Sequence, residues 1–243
     1  MAMPLLDVRG ACKTFGGLRA VQDVSFSVTE GEIFGIAGPN GSGKSTLFNL
    51  ITGIPFAPTA GEIHFAGQRI DGWPAHRIAR GGLARTFQKD AEFPDLSARE
   101  TVMLGSSYAG GLSGAAARRA TEAALDLVAL EEARRDLPSG DLSVYEKKQL
   151  MIGSALVAKP RMLMLDEPAS GLTRPEIAAL DALLVAVNAS GVAILLIEHV
   201  LSLLLSVSQR LLVLNQGQVL TEGDPAEVVR DPDVIEAYLG SRA

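Results

Sequence analysis

The residues with the clearest chemistry form the segment 38–46, GPNGSGKST, directly after the apolar run Ile33–Ala37. Its glycines let consecutive backbone N–H groups wrap a polyphosphate without clashes from Cβ atoms, and a following helix adds its positive N-terminal end. Lys44 is predicted to contact the β- and γ-phosphates, and Ser45 to ligate Mg²⁺. The alternative, a purely structural glycine turn, does not explain the strand before the segment and the helix after it. The predicted nucleotide-binding residues are Gly38, Pro39, Asn40, Gly41, Ser42, Gly43, Lys44, Ser45 and Thr46.

A second chemical element, MLMLDEP, occupies residues 162–168. Its four apolar residues predict a buried strand, and Asp166 follows at the C-terminal end, where its carboxylate is expected to hold Mg²⁺ directly or through water. Glu167 is then placed to polarise a water molecule for attack on the γ-phosphorus. An apolar strand that ends in two acids is common by itself. After a phosphate-binding loop it indicates hydrolysis of a nucleoside triphosphate.

The composition excludes several other classes of protein. The chain has 243 residues, of which 47% are hydrophobic and 21% charged, as in an ordinary globular protein with a sizeable core. A net charge of −6 argues against a general nucleic-acid binder, because no broad basic face is available. Cys12 is the only cysteine, which excludes an internal disulfide and favours a reducing compartment. The most apolar run, residues 192–205, is too short and too interrupted to span a bilayer.

The elements that must position these residues follow from the apolar pattern. Short β-like runs open the chain (LLDVRG, VSFSV and EIFGIAG), and a helix is predicted from Lys44 to near Gly53. EIHFAGQRI predicts a strand pair at a sheet edge, and LARTF a buried strand. From about residue 96 to 156 the apolar spacing is helical. Strands MLML, AILLI, LLVLN and QVLTEG then alternate with helices over residues 175–188 and from Val200. The pattern predicts an α/β protein with a mostly parallel sheet and a helical second lobe.

With these motifs in place, the chain resembles the nucleotide-binding subunits of ATP-binding-cassette (ABC) transporters over essentially all of residues 5–240. The phrases that carry the resemblance are ARTFQ, LSVYE, MLMLDEP and LLIEHV. KTFGGLRAVQDVSF, NQGQVLTEGDP and PDVIEAYLG look most like ATPases of branched-chain amino-acid importers, although lipid-export ATPases share several of these phrases. The resemblance implies one ABC ATPase domain with a P-loop NTPase core. Residues 1–88 and 158–243 would form this RecA-like core with its antiparallel β subdomain, and residues 89–157 an inserted helical subdomain with the signature.

The resemblance also implies roles for residues that are otherwise unremarkable. Phe15 would stack on the adenine ring, or else be only an aromatic on the apolar face of a strand. Gln88 would sense Mg²⁺ and the attacking water and link the two lobes, although a lone glutamine is usually a surface amide. His199 would contact the γ-phosphate and orient the water with Glu167, or else be a structural residue at a strand end. Ser143 would touch the γ-phosphate of ATP bound to a second subunit.

The segment after Gln88 implies a contact with the membrane subunit. In the family a short coupling helix docks here on the helical lobe. Phe93, Pro94 and Leu96 are expected to form the apolar floor of that groove, or else to be part of a loop that packs on its own lobe.

Three departures from the family pattern lie in the elements that one subunit offers to the other. The signature is usually Leu-Ser-Gly-Gly-Gln, yet here Tyr145 replaces the glycine that contacts phosphate. Its side chain is expected to add bulk beside the phosphate and, if the backbone needs a positive φ, strain of roughly 1–2 kcal/mol. Ser154 stands where the family has arginine, and Thr173 where it has Asp or Asn. The alternative is sequence drift with little consequence.

The resemblance thus implies an ATP- and Mg²⁺-dependent ATPase that powers import of a small solute, with branched-chain or other hydrophobic amino acids as the leading expectation. Its partners would be membrane subunits and a second nucleotide-binding subunit, identical or different, on the cytoplasmic face of the inner membrane. Membrane contact would occur only through these partner chains. Two identical copies are expected to have low activity. The alternatives are a low-turnover regulatory ATP-binding subunit, the ATPase of a lipid-exporting system, and an ATPase that serves an assembly other than a transporter.

Overall fold

Two β-sheets form the framework of the computed structural model, which describes residues 3–86 and 93–239. The strands are β1 Leu6–Phe15, β2 Leu18–Val28, β3 Ile33–Ala37, β4 Ala60–Phe65, β5 Gln68–Arg69, β6 Leu83–Arg85, β7 Met162–Asp166, β8 Ala193–Ile197, β9 Arg210–Asn215 and β10 Gln218–Gly223. The larger sheet has the order β10-β9-β3-β8-β7-β6 and is parallel except for β10. The smaller sheet, β2-β1-β4-β5, is antiparallel.

The helices are α1 Lys44–Thr52, α2 Ala75–Arg80, α3 Ala98–Tyr108, α4 Gly114–Leu127, α5 Glu132–Arg135, α6 Val144–Leu156, α7 Arg174–Ala189, α8 Leu201–Val207, α9 Pro225–Val228 and α10 Pro232–Leu239. Helices α3 to α6 lie between β6 and β7 in the chain, and α3, α4 and α6 pack on one another. The predicted helices after Lys44 and over residues 175–188 are confirmed to within a residue or two. Among the described residues, the structure contains no helix long and apolar enough to cross a membrane.

The central strands are apolar throughout because both faces of the larger sheet are covered. All five residues of β3, β7 and β8 are buried. Along β8, Ile194 and Leu196 pack with the helical side of the molecule, whereas Leu195 and Ile197 pack with the α1 and antiparallel-sheet side. This alternation is the two-residue period of a strand, and two-sided burial removes the polar residues that would otherwise mark it.

The segment LARTF was predicted as a buried strand, and its last residue, Phe87, lies outside the described residues. The strand β6 includes only Leu83–Arg85, and among these residues Leu83 alone is fully buried. The Arg85 side chain is itself buried, because its guanidinium pairs with the buried carboxylate of Asp166 at the end of β7. The strand pair predicted for EIHFAGQRI is the antiparallel β4–β5 hairpin.

Candidate functional site

The predicted phosphate-binding loop lies between β3 and α1, at the carboxyl edge of the parallel sheet. Gly43 precedes the helix with φ of 105°, and Gly38 has φ of 147°. A Cβ on Gly38 would lie 2.2 Å from the carbonyl oxygen of Leu214, and one on Gly43 would lie 2.5 Å from that of Ala20. Both positions therefore require glycine, because the neighbouring backbone approaches too closely for any side chain.

Lys44 bends back over the loop that precedes it. Its ammonium group donates to the carbonyl oxygens of Gly38 at 2.8 Å and Pro39 at 3.0 Å. Burial lowers the pKa of Lys44, while the charges of Glu167 and Asp166 oppose that shift. Two neutral carbonyl oxygens thus hold the ammonium group inside the curve of the loop. The oxygens of a bound polyphosphate would be charged and would accept stronger hydrogen bonds from it.

An open cavity of about 720 Å³ runs along the loop. Phe15 lines one part of it, is 43% exposed, and packs edge to face on Phe56 with ring centroids 5.0 Å apart. Glu167 lines another part, as do seven of the nine predicted loop residues: Asn40, Gly41, Ser42, Gly43, Lys44, Ser45 and Thr46. The cavity can therefore accept a planar ring beside Phe15 and a polyphosphate along the loop.

Two further segments line this cavity, and neither of them was assigned to the site from the sequence. They are the β1–β2 turn with the start of β2, which supply Gly17 to Ala20 and Gln22, and the β9–β10 turn, which supplies Gln216 and Gly217. The amide of Gln22 donates to the carbonyl oxygen of Gln216 at 2.9 Å, which joins the two turns. They meet only because the two sheets adjoin at this point.

Asp166 ends β7 as a buried carboxylate. Its Oδ2 accepts from the guanidinium of Arg85 at 3.0 Å, which also donates to Asn49 at 2.7 Å and Thr52 at 3.1 Å. Burial raises the pKa of Asp166, and the Arg85 charge opposes the rise. The sequence contained Arg85 within ARTFQ, but nothing in its spacing assigned it to this carboxylate.

The residues present fit a bound Mg²⁺. The Oδ1 atom of Asp166 is buried and accepts no hydrogen bond within the described parts of the chain. Ser45 is exposed at the first turn of α1 and lines the cavity. A carboxylate oxygen and a hydroxyl oxygen are the hard donors that Mg²⁺ prefers. Gln88, the third predicted metal residue, lies outside the described residues.

Glu167 and His199 meet at the ends of neighbouring strands. Glu167 has a left-handed backbone, φ 50°, and its N–H donates to the carbonyl oxygen of Ile197 at 2.9 Å. The Nδ1 atom of His199 lies 3.9 Å from Oε2 of Glu167, and the imidazole is half exposed. The uncommon φ of Glu167 turns the chain at the strand end, and such outliers persist where the surrounding structure holds them.

Glu198 was not predicted, although it interrupts the apolar run that sequence analysis noted. It is fully buried and accepts backbone N–H bonds from Ala169 at 2.6 Å, His199 at 3.1 Å and Val200 at 3.3 Å. Burial raises its pKa. One carboxylate thus joins the segment after Glu167 to the segment that carries His199.

The signature segment begins a helix. Ser143 is the N-cap of α6; its hydroxyl accepts from the Glu146 N–H at 3.3 Å, and the Glu146 carboxylate accepts from the Ser143 N–H at 2.7 Å. Arg134 donates to the same carboxylate at 2.6 Å. Among the described residues that line the cavity, Ser143 is absent. The capping box satisfies backbone groups at the start of α6 without any contact between Ser143 and this cavity.

The strain expected at Tyr145 does not occur. The residue lies inside α6 and is not among the described non-glycine residues with positive φ. Its ring is half-buried against the core cluster, while Val144 beside it is 46% exposed. The positive φ on which that strain depended is absent at Tyr145, because the residue lies in the first turn of a right-handed helix.

The other two departures lie at the start of α7 and inside α6. Thr173 is the N-cap of α7 and forms a capping box with Glu176. The Ser154 hydroxyl is buried and has no hydrogen-bond partner within the described residues.

Of the predicted groove residues, Phe93 is 55% exposed, and the carbonyl oxygens of Pro94 and Leu96 accept backbone N–H bonds from Gly140 and Ser139.

Comparison with known proteins adds family evidence to this geometry. The family model described as ABC transporter matches residues 21–170, and the one described as branched-chain amino acid ATP-binding cassette transporter matches residues 218–243. The high-affinity branched-chain amino acid transport ATP-binding protein LivG of Salmonella typhimurium is 40% identical over 256 residues, which cover 99% of each chain.

Solved structures share the fold. An ATP-binding cassette of an ABC transporter in its ADP conformation has a TM-score of 0.88 and 30% identity, covering 99% of this chain and 100% of the other. A dimeric cassette in a post-hydrolysis state, bound to ADP and Pi, has a TM-score of 0.79 and 25% identity, covering 90% of this chain and 98% of the other.

Proposed function

The chain belongs to the ATP-binding subunits of ABC transporters, and from that premise we propose that it powers the uptake of branched-chain or other hydrophobic amino acids. As a member of this family it binds ATP and couples ATP hydrolysis to transport. The amino-acid substrate is supported by the identity to LivG over the full chain and by the match of the C-terminal segment. That C-terminal match favours the amino-acid branch over a lipid-exporting system.

One observation carries the catalytic part of the proposal: Lys44, Asp166, Glu167 and His199 converge on one edge of the sheet. In the proposed roles, Lys44 binds the β- and γ-phosphates, and Asp166 with Ser45 holds Mg²⁺. The metal would supply charge neutralisation on the phosphate oxygens.

The remaining roles concern water and the base. Glu167 is proposed to accept a proton from the attacking water, and His199 to orient that water and Glu167 while it contacts the γ-phosphate. Gln88 is proposed to sense the metal and the water, and Phe15 to stack on adenine. The subdomain boundaries at residues 88 and 158 remain a prediction.

ABC ATP-binding subunits work as dimers on membrane subunits, and a dimeric cassette is among the structural neighbours. We propose that Ser143, at the start of α6, reaches the ATP of a second subunit, so that each site is completed in trans. The helix N-terminus there favours a negatively charged phosphate. The proposed location is the cytoplasmic face of the inner membrane, where Phe93, Pro94 and Leu96 receive the membrane partner.

A second candidate is a subunit that hydrolyses ATP slowly. The departures from the family pattern in the elements offered to the second subunit favour this candidate. The phosphate loop, Asp166 and Glu167 keep the family pattern, whereas Tyr145, Ser154 and Thr173 do not. In a pair with a different ATPase, this chain's own loop would be completed by the partner's signature and hydrolyse ATP. The opposite site would hold ATP and turn over slowly.

The proposal is tested by amino-acid uptake in membrane vesicles that contain the assembled transporter. Leucine uptake should require ATP and be lost with Glu167→Gln, while Glu227→Gln, an exposed carboxylate on α9, should leave it intact. Mass spectrometry of chains that co-purify from detergent-solubilised membranes should identify the membrane subunits and any second ATPase. ATP hydrolysis without uptake of any hydrophobic amino acid would refute the substrate assignment and leave the ATPase assignment standing.

A further inference from the structure

The C-terminal helix α10 reaches back to the phosphate loop. The backbone N–H of Gly38 donates to the hydroxyl oxygen of Tyr238 at 2.7 Å, across 200 residues of chain. We propose that Tyr238 is a positioning residue for the phosphate loop, through which the C-terminal segment sets the affinity for MgATP. The inference rests on the proposed role of that loop in binding the nucleotide.

Gly38 contacts both Lys44 and Tyr238. Its carbonyl oxygen accepts from the Lys44 ammonium at 2.8 Å, and its N–H is the group that Tyr238 holds. Pro39 follows and has no N–H, so Tyr238 accepts from the last backbone donor before Asn40. The carbonyl oxygen of Leu214 lies where a Cβ on Gly38 would be, so backbone atoms pack directly beside Gly38.

The tyrosine is well placed to act as an anchor. Its ring is partly buried against the helical core cluster, and Val234 on the same helix is 3% exposed. Asp231 accepts the N–H of Asp233 at 2.9 Å at the start of α10, which orders the first turn. Burial raises the pKa of Tyr238, so the hydroxyl stays neutral at physiological pH.

A hydroxyl acceptor at this point restrains the loop without touching the nucleotide. Without it, the Gly38 N–H would be a partly buried donor with no partner, and the loop would gain freedom that binding must remove. The expected result is weaker binding of MgATP with an unchanged hydrolytic centre, because Tyr238 contacts neither Glu167 nor Asp166 in the described hydrogen bonds.

The decisive variant is Tyr238→Phe, which removes one oxygen and keeps the ring. The matched control is Tyr108→Phe, because Tyr108 is 81% exposed on α3. Calorimetry should show the MgATP Kd rising about five-fold in Tyr238→Phe, which corresponds to about 1 kcal/mol. In steady-state assays KM should rise and kcat should change less than two-fold. Amide hydrogen exchange of Gly38 should accelerate about ten-fold or more, and Tyr108→Phe should match the wild type throughout.

Three results would overturn the inference. The first is an unchanged Kd and unchanged Gly38 exchange. The second is faster Gly38 exchange with an unchanged Kd, which would make the contact purely structural. The third is faster exchange over the whole chain with a lowered Tm, which would make the effect one of global stability. Failure of the wild-type chain to bind MgATP would instead refute the assignment of the loop, so the two failures are distinguishable.

Discussion

Restoring the signature glycine tests what Tyr145 does to the site formed with a second subunit. In Tyr145→Gly the second position of α6 loses its side chain, while the Ser143–Glu146 capping box and the helix N-terminus remain. Since the backbone is already helical, the change releases no backbone strain. Any gain in rate must come from a closer approach of the helix to the partner's γ-phosphate.

The structure sets the two opposing magnitudes. A large aromatic side chain buries up to about 150–250 Å², so a half-buried ring contributes roughly 2–3 kcal/mol at about 25 cal/mol per Å². Glycine in a helix costs about 1 kcal/mol more. Against stabilities of about 5–15 kcal/mol, the variant should fold and melt at a lower temperature. We expect its ATPase rate to rise ten-fold or more, equivalent to about 1.4 kcal/mol of transition-state stabilisation.

The assay is steady-state phosphate release by the purified chain at saturating MgATP and at several protein concentrations, with Tm measured in parallel. Tyr145→Ala is the matched control, because it removes the ring and keeps Cβ. If Cβ bulk beside the phosphate limits the rate, only the glycine variant is fast. An unchanged ATPase rate in Tyr145→Gly, together with loss of basal activity in Glu167→Gln, would show that Tyr145 is tolerated. It would refute the proposal that the site completed by this chain's signature turns over slowly.

Three further predictions concern this chain's own site. Lys44→Ala should weaken MgATP binding at least about ten-fold, because it removes a charge-assisted contact of roughly 1.5–3 kcal/mol. The control Arg119→Ala, on α4, should bind like the wild type. Equal MgATP affinities of Lys44→Ala and the wild type, measured by calorimetry, would contradict the loop assignment. Glu167→Gln should retain ATP binding and lose turnover, because it spares Asp166; retained single-turnover hydrolysis would mean that another group positions the water. Burial raises the pKa of Glu198 above its ordinary 4.5. The contribution of Glu198 to the free energy of unfolding is therefore largest below pH 4.5 and is lost as the pH rises through the raised pKa. The stability of the wild type relative to Glu198→Gln, from denaturant unfolding, should therefore be lower at about pH 8 than at about pH 5; a pH-independent difference would exclude this linkage.

The sequence by itself determined the features that depend on short-range chemistry. The glycine spacing of residues 38–46, the start of α1 at Lys44 and the position of Asp166 at the end of an apolar strand all follow from local backbone rules. The family resemblance further predicted that Phe15 stacks on adenine and that His199 contacts the γ-phosphate. The fold class also followed, because alternating apolar strands and helices allow few ways to bury the sheet on both faces.

Only the tertiary structure decided the contacts between distant parts of the chain. The ion pair of Arg85 with Asp166 joins residues 81 positions apart, and the hydrogen bond from Gly38 to Tyr238 joins residues 200 positions apart. The bond from the Ala169 N–H to Glu198 spans 29 positions. Such pairs depend on strand order and on the packing of helices, which no local pattern encodes. The conformation of Tyr145 was decided in the same way: whether its backbone is helical and its ring faces the core depends on where α6 begins and what packs beneath it.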